Sequence, residues 1–250
     1  MIIIKNNIAI DKMRHAGHIL VTILEDMRQY VVVGVSTFDL DAMIEARMTA
    51  QGLQAPCKGY GTYKFATCIS LNDGIVHGVP SKEIILKSGD FVKIDVVGAY
   101  KSYCADLTRY YFVGEVSATV RRIAEVAQIA LDSAIAVIKP GIKLSDISSL
   151  VQNIVEKEGF GVVRDFAGHG IGQHFHEEPS IPNYGKPGKG PVVREGMAFA
   201  IEPMITEKSF EVRILPDGWT AKTIDGGLAA HVEDTVVVTK TGVEVLTRLV

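Results

Sequence analysis

The chain carries Gly89-Asp-Phe-Val-Lys-Ile-Asp95 and, 107 positions later, Gly196-Met-Ala-Phe-Ala-Ile-Glu202. Each stretch begins with a glycine, continues through mostly apolar residues typical of a strand, and ends on an acid. A carboxylate in a buried strand is costly unless another group compensates its charge. The two stretches therefore predict equivalent strands, each of which brings one acid into the interior.

The offset of 107 positions also relates much of the remaining sequence, without a gap. Helical patterns of apolar residues coincide, and so do the turn residues and acids that follow them, Gly34 with Gly141, Asp39 with Asp146, and Gly52 with Gly159. Each half should hold an amphipathic helix, a glycine break, a second helix with Asp39 or Asp146 as a candidate N-cap, and strands. We therefore expect one domain over residues 1–250, with a repeat of about 12–107 and 119–214.

Asp95 and Glu202 join three other residues that could meet in the interior, Asp106, His169 and Glu233. If the four carboxylates converge, each pair at ~4 Å repels by roughly 4 kcal/mol at an effective dielectric of ~20. The total would exceed the stability of a domain, about 5–15 kcal/mol, so protons or cations must accompany the acids. A histidine with several carboxylates suits divalent metals, but sequence order alone does not bring these residues together.

Near the end of the chain, an apolar run predicts a final strand over residues 231–239, which would carry Glu233 to the centre. His231 lies two positions before Glu233 and could line the same face of that strand. The Gly- and Pro-rich stretch 182–191 is either an ordinary connection or a loop at the rim of a cleft.

Composition limits the remaining classes of function. With 250 residues and 47% hydrophobic content, the chain can bury the core of a single enzyme domain. A net charge of −3 without a basic stripe argues against nucleic-acid binding. No apolar run is long enough to cross a membrane, and the apolar start at Met1 is too short for a signal peptide. The three cysteines form no C-x-x-C pair, which favours reduced thiols in the cytoplasm, and a monomer is the default expectation.

Four motifs together resemble the type I methionine aminopeptidases: Gly168-His-Gly-Ile-Gly172, Phe175-His-Glu-Glu-Pro179, Asn72-Asp73 ahead of His77-Gly-Val-Pro80, and Ile201-Glu-Pro-Met204. The resemblance covers essentially the whole chain. It implies the pita-bread fold, an α/β architecture of two pseudo-symmetric halves around a central antiparallel sheet. It also implies two divalent metal ions per chain, Co²⁺, Mn²⁺, Fe²⁺ or Zn²⁺, ligated by Asp95, Asp106, His169, Glu202 and Glu233.

The resemblance further implies roles in catalysis and substrate binding. Glu202 would act as general acid and base for a water shared by the ions, which attacks the scissile carbonyl. His176 would hydrogen-bond the carbonyl oxygen, and His77 would contact the amide nitrogen. The methionine side chain would enter a pocket formed by Cys57, Tyr60, Tyr63, Cys68, Phe175 and Trp219. The implied partners are nascent polypeptides with a small second residue, met during transient contact with the ribosome.

Two other interpretations are compatible with parts of this pattern. A prolidase or aminopeptidase P relative would share the fold and metals, but it usually carries an extra N-terminal domain. A relative that has lost catalysis would bind peptides without metal, although such proteins tend to lose ligand residues. One departure from the resemblance is Asp234, where many relatives carry histidine, and this change could alter metal affinity.

Overall fold

The computed structural model describes residues 1–249. Its helices form two pairs, α1 (Asn7–Met27) with α2 (Thr37–Ala50), and α3 (Ala118–Val137) with α4 (Leu144–Lys157). The bounds of α2 and α4 differ by 107 positions at both ends. The strands are β1 (Thr67–Leu71), β2 (Gly74–Val76), β3 (Phe91–Tyr100), β4 (Tyr103–Phe112), β5 (Gly161–Val162), β6 (Ala167–Gly170), β7 (Glu177–Pro182), β8 (Ala198–Ile201), β9 (Met204–Thr206), β10 (Val212–Ile214), β11 (Ala221–Thr223), β12 (Ala229–His231), β13 (Glu233–Val238) and β14 (Val243–Val245).

The start of α2 and of α4 differs from the prediction, because neither Asp39 nor Asp146 is the N-cap. Ser36 caps α2, and its hydroxyl oxygen accepts a hydrogen bond from the Asp39 amide at 3.0 Å. Lys143 precedes α4, and its backbone N–H donates to the Asp146 carboxylate at 2.9 Å. Both acids therefore occupy the third helical position, where a carboxylate reaches back to the cap and also suits the helix dipole.

The largest sheet has the strand order β1-β3-β4-β13-β8-β6-β7, with β14 paired to β13, and its pairings are antiparallel. β3 and β8 flank the contact between β4 and β13 on opposite sides, with β1 beyond β3, and with β6 and then β7 beyond β8. At this central contact, Glu233 lies opposite Thr108 and Asp234 opposite Leu107. The predicted α/β class with a central antiparallel sheet is confirmed.

The prediction of one final strand over residues 231–239 is wrong. β12 ends at His231 and belongs to a small sheet of order β12-β9-β5, whereas β13 begins at Glu233 and belongs to the main sheet. The chain thus changes sheets at Val232, within a stretch, residues 229–238, that contains no glycine or proline to signal the change. A third sheet has the order β10-β11-β2.

The stretch 182–191 connects β7 with the segment before β8, and it packs against the start of α4. The Gly188 and Lys189 amides donate to Asp146 Oδ1 and Ser145 Oγ, both at 2.7 Å. Beyond Pro182, Asn183 Nδ2 donates to the Glu202 carbonyl oxygen at 3.0 Å. The stretch is therefore an anchored connection, and one of its residues holds the backbone that carries Glu202.

Each helix pair covers one half of the main sheet. α1 and α2 bury Leu24 and Ile44 together with Ile94 of β3 and Leu107 of β4. α3 and α4 bury a matching set in the other half, which includes Leu131, Val151, Phe199 and Val236. Because side chains alternate along a strand, Asp95 points away from the helices that cover Ile94. In the described part of the chain, no helix has the length and apolarity needed to span a membrane.

Candidate metal centre

Neighbouring strands bring the five residues predicted as ligands to the middle of the main sheet. Asp95 lies in β3, Asp106 in β4, His169 in β6, Glu202 directly after β8, and Glu233 at the start of β13. One ligand atom from each of Asp106, His169 and Glu233 lies within 4.8 Å of the other two. His169 Nε2 is 3.4 Å from Glu202 Oε1, and Asp95 is close enough to Asp106 to perturb its ionisation. These five residues form the carboxylate cluster.

Burial and mutual repulsion govern the ionisation of the carboxylate cluster. Burial raises the pKa of Asp106 to about 7. Burial, followed by the charges of neighbouring carboxylates, raises the pKa values of Asp95, Glu202 and Glu233 well above their usual range. Burial also lowers the pKa of His169 to about 3, which leaves the ring neutral. Without a cation, the cluster reduces its repulsion by retaining protons.

Several polar atoms at this position are buried without a hydrogen-bond partner. In residues 1–249 they include Asp106 Oδ1, Glu233 Oε1 and His231 Nε2. An unpaired buried polar atom costs roughly 1–3 kcal/mol, and a coordinated cation would give these lone pairs a partner. Carboxylate oxygen and imidazole nitrogen are donors that suit hard to borderline divalent ions. The residues present therefore fit a divalent metal centre.

Glu233 is held from both faces of its strand. Thr108 Oγ1 donates to its carboxylate at 3.0 Å, and Arg109 Nη1 donates to its backbone carbonyl at 2.8 Å. The adjacent Asp234 is only 1% exposed and accepts hydrogen bonds from Arg109 at 2.8 Å and from Arg248 at 2.7 Å. The residue that departs from the resemblance thus lies in a buried ion-pair network directly beside a member of the cluster.

A cleft of about 320 Å³ opens onto the carboxylate cluster, and His77 and His176 lie in its walls. His77 has a left-handed backbone with φ of 57°, and its ring contacts Phe166 at a centroid distance of 5.2 Å. Burial lowers the pKa of His77 to about 4. His176 lies at the mouth of the cleft with its ring centroid 4.5 Å from that of His169, and partial burial lowers its pKa. Both rings are therefore neutral near pH 7 and can donate or accept one hydrogen bond.

An aromatic cluster borders the same cleft. The ring centroid of Tyr60 lies 5.0 Å from that of Phe175 and 6.4 Å from that of Trp219, and Trp219 lies 5.1 Å from Tyr63. Tyr60 is also 6.1 Å from His176, so this apolar surface continues into the wall of the cleft. The structure brings together the four aromatic residues that the sequence assigned to a methionine pocket.

Two thiols connect the aromatic cluster with the acids. Burial, followed by the charges of neighbouring groups that include Asp95, raises the pKa values of Cys57 and Cys68. Both cysteines are free, and Cys68 pairs with Asp95 in the register of β1 and β3. The thiols are therefore protonated and apolar, and they lie between the aromatic surface and the carboxylate cluster.

The sequence identified His231 only as a residue that could share a face with Glu233. In the structure, its Nε2 atom lies 3.4 Å from Glu202 Oε2 and 3.9 Å from Glu233 Oε2, and it also lines the cleft. Burial lowers its pKa to about 3, so the ring is neutral. The spacing of two residues from Glu233 was the only signal in the sequence, and it did not distinguish a site residue from a buried histidine.

The fold and this donor set define a metal-dependent hydrolase. The family model described as metallopeptidase family M24 matches residues 11–240. Over 249 residues, which cover 100% of both proteins, the chain is 40% identical to methionine aminopeptidase 1 of Bacillus subtilis. The chain therefore belongs to metallopeptidase family M24 and groups with its methionine aminopeptidases.

Comparison with solved structures also relates the chain to methionine aminopeptidases. The crystal structure of methionine aminopeptidase from Thermotoga maritima matches with a TM-score of 0.98 and 42% identity, and 100% of each chain is covered. The prolidase from Pyrococcus furiosus matches with a TM-score of 0.80 and 27% identity, over 99% of this chain and 66% of that one. The predicted pita-bread fold is confirmed, and membership of a metallopeptidase family implies the use of divalent metal.

Proposed function

We propose that this metallopeptidase removes the N-terminal methionine from nascent polypeptides and prefers a small second residue. The observation that carries the proposal is the aromatic and thiol surface of Tyr60, Trp219 and Cys68 beside the carboxylate cluster. Sulfur–aromatic contacts contribute ~0.3–1.5 kcal/mol each, so a methionine side chain suits this surface. Full-length similarity to methionine aminopeptidases supports the same substrate class.

The proposal includes two divalent ions, Co²⁺, Mn²⁺, Fe²⁺ or Zn²⁺, held by Asp95, Asp106, His169, Glu202 and Glu233. Asp106 and Glu233 each offer two carboxylate oxygens and lie within reach of one another, so both would hold metal. When bound, the ions would polarise the scissile carbonyl and would lower the pKa of the attacking water toward ~7. The unpartnered oxygens of Asp106 and Glu233 support this assignment.

The side chains of the protein supply proton transfer and orientation. Glu202 takes a proton from the attacking water and passes it to the leaving amine, a role that typically contributes about 10²–10⁴-fold. His176 donates a hydrogen bond to the carbonyl oxygen of the substrate, and His77 contacts the amide nitrogen. Since burial keeps both rings neutral, each has one N–H donor for these contacts.

Binding of the α-amine and of the side chain would restrict cleavage to an N-terminal methionine. The free α-amine of the substrate approaches the carboxylate cluster, which selects the first peptide bond. The pocket of Cys57, Tyr60, Tyr63, Cys68, Phe175 and Trp219 receives the side chain. Apolar pockets distinguish one methylene by only about 1–3 kcal/mol, so norleucine-like side chains should also be cleaved slowly.

We further propose that residues 1–250 form one catalytic domain built from duplicated halves, 12–107 and 119–214. The constant offset of α2 and α4 and the equivalent places of β3 and β8 on either side of the β4–β13 contact support this duplication. The enzyme would act as a cytoplasmic monomer that meets nascent chains through transient contact with the ribosome.

The proposed function is tested with tripeptides and a titration of Mn²⁺ or Co²⁺. Met-Ala-Ser should be hydrolysed only with metal, and Leu-Ala-Ser should be a much poorer substrate. Glu202→Gln should reduce turnover by about 10²–10⁴-fold. The matched control is Glu178→Gln, because Glu178 lines the same cleft without joining the carboxylate cluster, and turnover should change little.

Three outcomes would contradict the proposal in different ways. Activity only on Ala-Pro-Ala or Gly-Pro would replace it with a proline-specific peptidase. Equal cleavage of the Met and Leu peptides would remove the assigned pocket. No metal uptake by calorimetry, together with no hydrolysis, would favour a binding protein without catalysis.

A further inference from the structure

Lys93 is buried deeply for a lysine. It is 1% exposed, lies in β3 two residues before Asp95, and points to the same side of that strand. Lysine is almost never fully buried unless it is paired with a counter-ion. Within residues 1–249, the acid whose charge influences it is Asp73, whose carboxylate pairs with Lys222 at 2.9 Å. Lys93 therefore occupies a costly position without a direct carboxylate partner.

The amino group of Lys93 instead bonds to two backbone carbonyls that are far apart in sequence. Nζ donates to the Asn72 oxygen at 3.1 Å and to the Ala229 oxygen at 3.0 Å, and it lies 4.8 Å from the Phe91 ring centroid. The Asn72 oxygen also accepts the Ala229 amide at 3.0 Å, so all three groups meet at one point. These bonds require two N–H donors, which a lysine amino group supplies in either protonation state.

Each of the joined segments leads directly to a residue of the cleft. The turn at Asn72 continues through β2 to His77. Ala229 opens β12, which ends at His231 and is followed by Glu233. Lys93 itself is in the strand of Asp95. One amino group therefore ties together the segments that carry site residues from both halves of the chain.

We infer that Lys93 is a positioning residue, whose amino group sets the separation of the Asn72 turn and β12 and thereby aligns His77 and Glu233 with Asp95. The inference rests on the proposed function, because turnover is one of its measurements. A methionine at this position would fill a similar volume, but it would leave both carbonyl oxygens without their donor. The bonds of the amino group, and not the packing of its carbon chain, account for a lysine here.

The experiment compares Lys93→Met with Lys222→Met. Lys222 lies beside the same turn and pairs with Asp73, but it does not bond to Asn72 or Ala229, so it is a matched control for the loss of one lysine. In Lys93→Met, kcat on Met-Ala-Ser should fall about 10- to 100-fold, with a change in KM of less than about threefold. Mn²⁺ affinity by calorimetry should weaken, and amides near positions 72–74 and 229–231 should exchange faster. Lys222→Met should resemble the wild type in all measurements.

A second variant keeps the test valid if Lys93→Met folds poorly. Lys93→Ala leaves space for a small amine, so millimolar methylammonium should restore part of the lost kcat, whereas tetramethylammonium, which has no N–H donor, should not. Wild-type kcat and wild-type exchange in Lys93→Met would overturn the inference, as would equal rescue by both cations. If the wild-type protein released no methionine, the proposed function would fail, while amide exchange and Mn²⁺ affinity would still test the role of Lys93.

Discussion

The stability of the metal-free protein should fall as the pH rises above neutrality. Burial raises the pKa of Asp106 to about 7, and burial together with neighbouring carboxylates holds the pKa values of Asp95, Glu202 and Glu233 well above their usual range. In the unfolded chain, these groups ionise near pH ~4. The folded state therefore binds more protons than the unfolded state above that pH, and unfolding becomes easier as protons are removed from solution.

Buried histidines determine the pH range in which this effect is visible. Burial lowers the pKa values of His169 and His231 to about 3 and that of His77 to about 4, whereas unfolded histidine titrates near ~6.5. Below pH ~6.5 the unfolded chain binds extra protons at these positions, which makes stability rise with pH and offsets the carboxyl groups. As the pH rises past ~6.5, the unfolded histidines lose their protons, and their opposing effect fades by about pH 7.5. Unfolded thiols are half-ionised near pH ~8.5, so the informative range is about pH 6.5–8.

The size of the effect follows from the number of retained protons. Each carboxyl group that stays protonated across 1.5 pH units costs about 2 kcal/mol, at 1.36 kcal/mol per unit. Asp95, Glu202 and Glu233 act in this direction. Lys93 opposes them, since burial lowers its pKa to about 7 and the folded state loses its proton in the same range. The unfolding free energy should therefore fall between pH 6.5 and 8, by about 2 kcal/mol for each of the three carboxyl groups that keeps its proton, less the opposing contribution of Lys93.

Urea unfolding at pH 6.5, 7, 7.5 and 8 measures this quantity, in EDTA and in saturating Mn²⁺. In EDTA the free energy of unfolding should fall by about 2 kcal/mol for each carboxyl group that keeps its proton, less the contribution of Lys93, while Mn²⁺ should abolish the loss, because ionised carboxylates then surround cations. Glu233→Gln should reduce the loss in EDTA by about 2 kcal/mol, and Glu115→Gln, at a side chain 97% exposed, should leave it unchanged. A flat profile in EDTA would show that the carboxyl groups are ionised without metal, and it would refute the reasoning.

Three substitutions test other parts of the structure. Gly170→Ala should lower the melting temperature strongly, because its Cβ would lie 2.1 Å from the Glu178 carbonyl oxygen, whereas Gly242→Ala meets no atom within 4 Å and should be tolerated. Asp234→Ala should lower the free energy of unfolding in urea by about 3 kcal/mol, since it removes the buried partner of two arginines. Trp219→Ala should raise KM for Met-Ala-Ser about fivefold with a smaller change in kcat, because it removes a contact worth ~1 kcal/mol; an unchanged KM would exclude this residue from the pocket.

The main features of the fold could be predicted because local patterns recur at a fixed distance along the chain. Asp95 and Glu202 each follow a glycine and an apolar strand, and the two strands lie at equivalent places in the sheet order. Because the same pattern recurs, we could expect the two strands to occupy equivalent places in the fold. A single strand pattern does not predict where its strand lies. The grouping of Asp106, His169 and Glu233 came from the resemblance, since no local pattern determines which distant side chains meet.

Features that depend on backbone partners could not be predicted. Residues 229–238 contain no glycine or proline, so the sequence does not indicate that β12 and β13 pair with different sheets. In the sequence, Lys93 looks like an ordinary polar residue of a strand. Its role could not be predicted, because its partners are the main-chain oxygens of Asn72 and Ala229. Every residue has a backbone carbonyl group, so the residue type does not indicate which carbonyl accepts a side-chain hydrogen bond.

Asp234 shows how a departure from the family pattern can be accommodated beside the carboxylate cluster. Adjacent residues of a strand point to opposite faces, so Asp234 faces away from the carboxylate cluster while Glu233 belongs to it. The rigid, planar fork of Arg109 joins them, because Nη1 donates to the Glu233 carbonyl and Nη2 donates to Asp234 Oδ1, both at 2.8 Å. Asp234 therefore acts on Glu233 through the main chain. It helps to hold Glu233 without contributing a donor atom to the carboxylate cluster.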